Sequence, residues 1–534
     1  MSHIGAMRPT TPAGLRNVAV VGGGPGGLFV AALLKTALPH LRLTLFERNR
    51  REDAFGFGVV FSDATLRSLD DADPVLRRAL QEHGTHWDRI DVLSSGRRHS
   101  FSGNGMAAVH RRALLELLQQ QAEQAGVEML FGVTAPPLAQ LRAGYDLVIG
   151  ADGTNSATRA SMEAEGTLGH TVETAAAKFI WFGTPHRFEG LTFLHRVSPH
   201  GNFAVHAYPI SDELSTFIAE TDADAWRAAG LDAFDVSQPS GPSDLVSQAY
   251  LETLFADDLV GRPLVANNSR WGNFRTRRTE QWWRDNVVLL GDAVHTAHFS
   301  VGSGTKMAME DAVELARRIT ALAHGEGDLA TALDGYQRQR QAGVARIQTA
   351  ARPSLSWWEN FGLYQQTLDP LTFAFHFFSR SIGIERIARR DPAFVSQVRG
   401  RWQDAHGARA TRAVLPGLGP SPLERTVTLE SVGEFTATLR DSRGERADVP
   451  VLNSPGEEKD LSSAKARLPR CGAVVIVGEP TLARTLLAEE ARLRRGLITV
   501  VAGPDVNEEE VAETMILSGR ADAVATGTTR IGAR

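Results

Sequence analysis

The run NVAVVGGGPGGLFVAALLKTAL, residues 17–38, constrains the fold more than any other stretch of the chain. Val18 to Val21 read as a buried strand, Gly22-x-Gly24-x-x-Gly27 as a tight turn, and Leu28 to Leu38 as a helix. Glycines let the backbone turn sharply and let a pyrophosphate approach; Pro25 and Gly26 lie at the mouth of the helix, whose first N–H groups face the phosphates. A second strand, LRLTLFERN, ends at Glu47 and Arg48, where an acid can bind the ribose hydroxyls of an adenosine. Gly24 alone also fits an ordinary turn and Glu47 a solvated strand end. Their joint spacing points to a βαβ dinucleotide site, with NAD and FAD both open on these residues.

Two further turns follow the same plan. YDLVIGADGTNSATR, residues 145–159, is an apolar strand running into Asp152-Gly153. LLGDAVHTAHFSVGSGTKMAMEDA, residues 289–312, is a strand ending in Gly291-Asp292, then a bend at Gly302 and Gly304, then a helix from about Lys306. In VHRRALLELLQQQAEQAG, Arg111 stands three residues before Leu114 on a helix with an apolar side. Together these motifs resemble the single-component (group A) flavoprotein aromatic hydroxylases. The resemblance implies an FAD held by Gly22, Gly24, Gly27, Glu47, Asp152 and Asp292, with Asp292 on the ribityl chain. It also implies that backbone N–H groups of Gly302 to Thr305 reach the pyrimidine edge of the flavin, and that Arg111 contacts the flavin nucleotide. A solvated Arg111 beside Arg112 remains the alternative. Only one dinucleotide fingerprint occurs, which suits NADH or NADPH visiting transiently, with O2 as co-substrate and a C4a-hydroperoxyflavin as the oxygenating species.

Between the second and third turns, FIWFGT, LTFLHRVS, NFAVHAYP and LSTFIAET are strand-like runs with the rhythm of an antiparallel sheet. In the resembled fold such a sheet roofs the flavin and lines the substrate cavity. Alternation puts Phe193, His195 and Val197 on one face, and Ala204, His206 and Tyr208 on one face of the next strand. His195, His206 and Tyr208 are therefore candidate cavity groups, each equally compatible with a structural polar role. His298, beside the glycine bend, is the first candidate for a catalytic base, with His206 and Tyr208 next. DAFGFGVVFSDATL, residues 53–66, and HFSVGSGTKMAMEDA are similar to the aryl-CoA hydroxylases, a subgroup of the same family; the likeness covers about residues 17–400. It brings Phe57, Val60, Phe299 and Ser300 in as substrate contacts, Ser300 standing where the wider family often has proline. A CoA thioester needs cations at its phosphates, and SRWGNFRTRRTEQWWR offers Arg275 and Arg277, unless they are merely solvated. The implied reaction is hydroxylation of an aromatic acyl-CoA, first of all a salicylyl thioester at C5. A free aromatic or indole substrate is one alternative, and a ligand-sensing flavoprotein another. The Trp-x-Trp-x-Ile-Pro signature of flavin halogenases is absent.

The expected fold class is α/β: a Rossmann-like FAD-binding domain in two parts, 15–175 and 270–350, around an inserted antiparallel substrate sheet, 176–269. A helical segment, 351–412, and a small C-terminal α/β unit, 425–534, complete it. For a chain of 534 residues, roughly two to four domains are expected. Only about 120 residues follow Pro416, too few for a (β/α)8 barrel, although the last two strands look like the end of one. A substrate-handle cover or a dimer contact is equally compatible, so a homodimer stays open. The net charge of −5 points to neither nucleic acid nor a membrane surface as partner. The single cysteine, Cys471, favours a reducing compartment, and no apolar run reaches the ~18 residues of a span, so a cytoplasmic enzyme is expected. No metal site is expected.

Overall fold

The computed structural model describes residues 15–54, 56–62, 74–238, 241–299, 302, 304–406 and 425–527. It divides into two compact units. The first comprises Met1–Trp87, Gly105–Gly190 and His206–Ala351; the second Asp88–Asn104, Leu191–Val205 and Arg352–Arg534.

The first unit is built on a six-stranded sheet in the order 283–284, 287–289, 147–150, 17–21, 42–47, 128–131. All neighbours pair in parallel except the 283–284 edge. Parallel strands are covered on both faces and therefore read as continuous apolar runs; Val18, Val20, Leu45, Val148, Ile149 and Val288 are all buried. The order has a direct consequence for function. Four adjacent strands end at Val21, Glu47, Gly150 and Leu289, so all three glycine–acid turns emerge on one carboxyl edge, where open α/β sheets bind ligands. The helix Pro25–Ala37 leaves the first turn, and the helix Gly304–Ala323 packs beside it in the same core. A small antiparallel sheet, 58–62, 106–110 and 85–87, leads into the helix Arg111–Ala125. The strands 272–278, 171–184 and 215–221 pair antiparallel, with the second half of Gly201–Pro209 next in order.

In the second unit the first half of Gly201–Pro209 is followed by 191–198, 90–94 and 97–101. Here the structure departs from the purely antiparallel expectation: Leu191–Ser198 pairs in parallel with Ile90–Ser94, a hairpin strand contributed from earlier in the chain. The helix Leu329–Thr367 runs on through Pro353, so the expected helical segment starts in mid-helix. Residues 425–527 hold more than a loose α/β unit. Six strands, 426–432, 436–440, 446–453, 473–477, 498–502 and 523–526, close into a barrel. The first three are antiparallel, the later ones parallel, and 426–428 pairs with 524–526 to complete the ring. Closure removes the exposed edges that a short sheet would leave. Alternation does the rest: Ala473, Val475 and Val477 fill the barrel, while Val474 and Ile476 pack outward in the aromatic-rich core with Leu487 and Met515.

Candidate active site

The first turn is shaped by close backbone approach. Gly22 has φ +111°, and a Cβ there would collide with the Ala151 carbonyl; a Cβ on Gly27 would overlap the Gly22 carbonyl. A Cβ on Gly24 would instead meet nothing within 4 Å. Gly24 caps the helix Pro25–Ala37 without a side-chain bond and Pro25 has no N–H to offer, so the first-turn N–H groups of Gly26 and Gly27 are left for an anion. Glu47 accepts from the Gly23 N–H at 2.6 Å through one oxygen and from the Asn49 N–H and Nδ2 through the other. It thus fixes the glycine turn, with Arg48 exposed beside it.

Asp152 is engaged within the chain. Its carboxylate accepts from the Ser156 hydroxyl and from the Thr158 N–H and hydroxyl, which starts the helix Ala157–Glu165. Its neighbour Arg159 donates to the Thr154 and Ala293 carbonyls, tying the second turn to the third.

Asp292 sits on the turn Gly291–Ala293, open to the cleft yet enclosed by protein. Enclosure raises its pKa, while His295, Arg111 and Arg277 pull in the other direction. Arg111, its guanidinium depressed by burial, faces the same carboxylate. Behind the turn lies a group that sequence reasoning missed. Asp311, 0 % exposed, accepts from the Gly291 N–H at 3.0 Å, contacts His295 Nε2 at 2.7 Å and accepts from Arg340 Nε at 2.7 Å. Burial alone would raise its pKa; His295 and Arg340 outweigh that and hold it below the usual carboxylate range. The signal was an acid on the apolar side of a helix, among Met307, Ala308 and Leu315.

Gly302 has φ +61° and lies against Val60, and Gly304 and Thr305 open the next helix. An acid in an open cleft, a cation facing it and two helix N-termini on one sheet edge suit the ribityl, pyrophosphate and flavin edge of FAD.

The wall beyond this cleft is aromatic. Phe299, partly exposed, lies 4.4 Å from His298, 5.0 Å from Phe179 and 5.6 Å from His206 between ring centroids. His298 also meets Phe274 edge-on. His206 Nε2 lies 2.6 Å from an oxygen of Glu220, a residue the sequence reading passed over; both are buried. Tyr208 stacks on Trp87, and burial pushes its phenol well above the ordinary value. A phenol shifted in this direction keeps its proton at neutral pH. Phe57 packs beneath Gly183 and its carbonyl accepts from the Arg111 N–H. Ser300 lies outside the described residues.

Two expected substrate residues stand elsewhere. Arg277 is 5 % exposed; it donates to Thr154 Oγ1, meets His170 and faces Asp292, whereas Arg275 is exposed to solvent. His195 lies in the second unit, stacked on Trp358 and edge-on to Phe373, in an aromatic core. Its strand face is an interior packing face there, although Val197 two residues on is 65 % exposed.

A family model described as an FAD binding domain matches residues 16–351, and the chain belongs to that family. It is an FAD-dependent aromatic monooxygenase that uses a reduced nicotinamide and O2. A salicyloyl-CoA 5-hydroxylase from a Streptomyces species is 49% identical over 527 residues, 95% of this chain and 99% of that one. The 3-hydroxy-4-methyl-anthranilyl-(aryl-carrier protein) 5-monooxygenase of Streptosporangium sibiricum is 35% identical over 341 residues, 64% of this chain and 88% of its own. Among solved structures, p-nitrophenol 4-monooxygenase from Pseudomonas putida DLL-E4 superposes with a TM-score of 0.53 at 16% identity, over 72% of this chain and 96% of that one. That likeness concerns the fold alone. Among the described residues no helix is long and apolar enough to cross a membrane.

Proposed function

We propose that the protein hydroxylates the ring of an aromatic acyl-CoA, and that the substrate is salicylyl-CoA, oxidised at C5 to the gentisyl thioester. The observation that carries this is the near end-to-end likeness, at 49% identity, to a protein named for that reaction. The local chemistry agrees with it. Bound FAD supplies the redox chemistry, taking a hydride from NADH or NADPH and activating O2. The chain positions the ring and manages its protons. Phe299, with Phe179 and Trp181 behind it, offers an apolar surface for an aromatic ring. His298 and His206 flank it and are the candidate acceptors for the phenolic proton, whose loss enriches the carbon para to the hydroxyl. Tyr208, kept protonated, can donate to a carbonyl or phenolate oxygen. Val60 beside Gly302 and Phe57 beneath Gly183 close the space against water. Arg275 is the candidate for a CoA phosphate, and Arg111 and Asp292 hold the cofactor.

The test is anaerobic reduction of the purified flavoprotein by NADH, with salicylyl-CoA, with free salicylate and with neither, followed by product identification after admitting O2. Acceleration by the thioester alone and a product heavier by one oxygen support the reading. Equal rates in all arms, or hydroxylation of free salicylate only, reject it.

A further inference from the structure

Glu220 is hard to explain as scaffold. It stands in Ser215–Thr221, a strand buried at every position, and is itself 1 % exposed. A carboxylate in such a place is costly unless it is paired with a cation or protonated. The charged group that acts on its carboxyl is a histidine, His298; directly across on 171–184 stands Phe179, and across from Ile218, two residues back, stands Trp181. The titratable groups facing it are His206 at 2.6 Å and His298 from the 295–299 segment. Lys178, the nearest cation on the facing strand, is bound to Asn273 and lies over Trp226. All the groups that face Glu220 thus belong to the wall proposed to receive the substrate.

Resting on the reading above, we infer that Glu220 is the terminal acceptor for the phenolic proton of the bound substrate, working through His206 as a positioning and relay partner. The step balances without any other reagent. The phenol O–H bond breaks and its electron pair stays on oxygen. The proton joins the imidazole of His206 as the proton on Nε2 passes to the Glu220 carboxylate. A neutral phenol and an anionic carboxylate become a phenolate and a neutral acid, so the net charge of the buried site is unchanged. A buried charge moves to the ring that must react, and none is added to an apolar wall. Burial independently pushes the Glu220 carboxyl up to about 7, with His298 opposing, so it is poised to exchange a proton at neutral pH.

Two measurements test this, both on the oxidised FAD-loaded enzyme without turnover. First, the near-ultraviolet spectrum of bound salicylyl-CoA is followed against pH in wild type and in Glu220→Gln. Wild type shows the phenolate band rising through about pH 7, whereas the variant, with flavin bound as tightly, shows the neutral phenol across that range. In turnover the variant loses about 100-fold in kcat near neutrality while anaerobic flavin reduction is unchanged. An identical ionisation profile in the variant overturns the inference. Second, should the variant fail to fold, proton release is read on wild type with an indicator dye in weak buffer. Phenolate formation without release of a proton to solvent, together with a new protonated-carboxyl band in the infrared difference spectrum, supports Glu220 as acceptor. Stoichiometric release overturns it. If wild type neither binds nor hydroxylates the thioester, the substrate assignment fails first, a separate outcome.

Discussion

Asp311→Asn is the sharpest probe of how the third turn is held. The native carboxylate is fully buried and serves three donors: the Gly291 N–H, His295 and Arg340. An amide of the same size keeps one acceptor oxygen but turns an N–H toward a cation. Removing one partner of a buried ion pair costs 3–5 kcal/mol in general. Arg340 keeps Glu310 at 2.8 Å, which softens the loss, so about 3 kcal/mol is expected here. The cofactor should feel a smaller effect. Loosening the Gly291 N–H removes about one hydrogen bond's worth of preorganisation from Asp292, and FAD affinity should fall about tenfold. The pH dependence has a definite sign. The native pKa lies below the ordinary 3.8, so the contribution of Asp311 is fully present above that value and disappears as pH falls through the lower folded value. Flavin release during urea or thermal unfolding follows the first unit specifically, and flavin fluorescence quenching gives the affinity. A variant within about 1 kcal/mol of wild type at neutral pH, or a difference that grows on acidification, would refute the reasoning.

Gly22→Ala and Gly24→Ala separate folding from binding at the first turn. The first drives a Cβ into the Ala151 carbonyl and should yield little folded protein, while the second enters open space and should leave a folded chain with reduced FAD content, both read by flavin-to-protein absorbance ratio. In the second unit, burial and Arg520 lower His376 from 6.5 to about 4, despite the opposing Glu489. A lowered histidine stabilises fully above 6.5 and loses that contribution as pH falls from 6.5 to 4, so fluorescence-monitored melting of the Trp357–Trp358 region should weaken across that window in wild type and much less in His376→Gln.

Parts of this molecule were plain in the sequence for a physical reason. The first glycine turn needs particular residues at fixed offsets because at Gly22 and Gly27 backbone meets backbone and a side chain would collide. The buried strands around them are apolar throughout, so their positions were legible as well. Glu220 and Asp311 escaped because a single acid in an apolar run carries no sign of whether its partner is water or a neighbour distant in sequence. Arg277 shows the converse: a run of arginines looks like a phosphate surface until pairing with 171–184 and the contacts with Thr154 and His170 turn one of them inward. The alternation that grouped Phe193 with His195 was sound, but the packing layer over that face, Trp358 and Phe373, comes from later in the chain. Barrel closure depends on 426–428 pairing with 524–526, which no local pattern encodes.

Four carboxylates enclosed by protein differ in the direction of their pKa shift, and the direction follows their surroundings. Asp311 and Glu489 are lowered. Each is ringed by donors: Gly291, His295 and Arg340 for the first, and Tyr364, His376 and Arg520 for the second. Such groups return in hydrogen bonds what desolvation costs and act as clamps within one unit. Asp292 and Glu220 are raised, the first facing the cofactor cleft and the second the aromatic wall. Nothing in the fold requires an acid at Glu220, since a hydrophobic or amide residue would be cheaper to bury there, while Asp292 opens onto the cleft. Both lie in the unit carrying the three glycine–acid turns, where the proposed ligands would complete their environment: hydroxyls for Asp292, an exchangeable phenolic proton for Glu220. Two substitutions should therefore act in opposite directions. Removing the charge of Asp311 must destabilise the empty protein, whereas removing that of Glu220 must leave it as stable or make it more so at neutral pH, while impairing the chemistry.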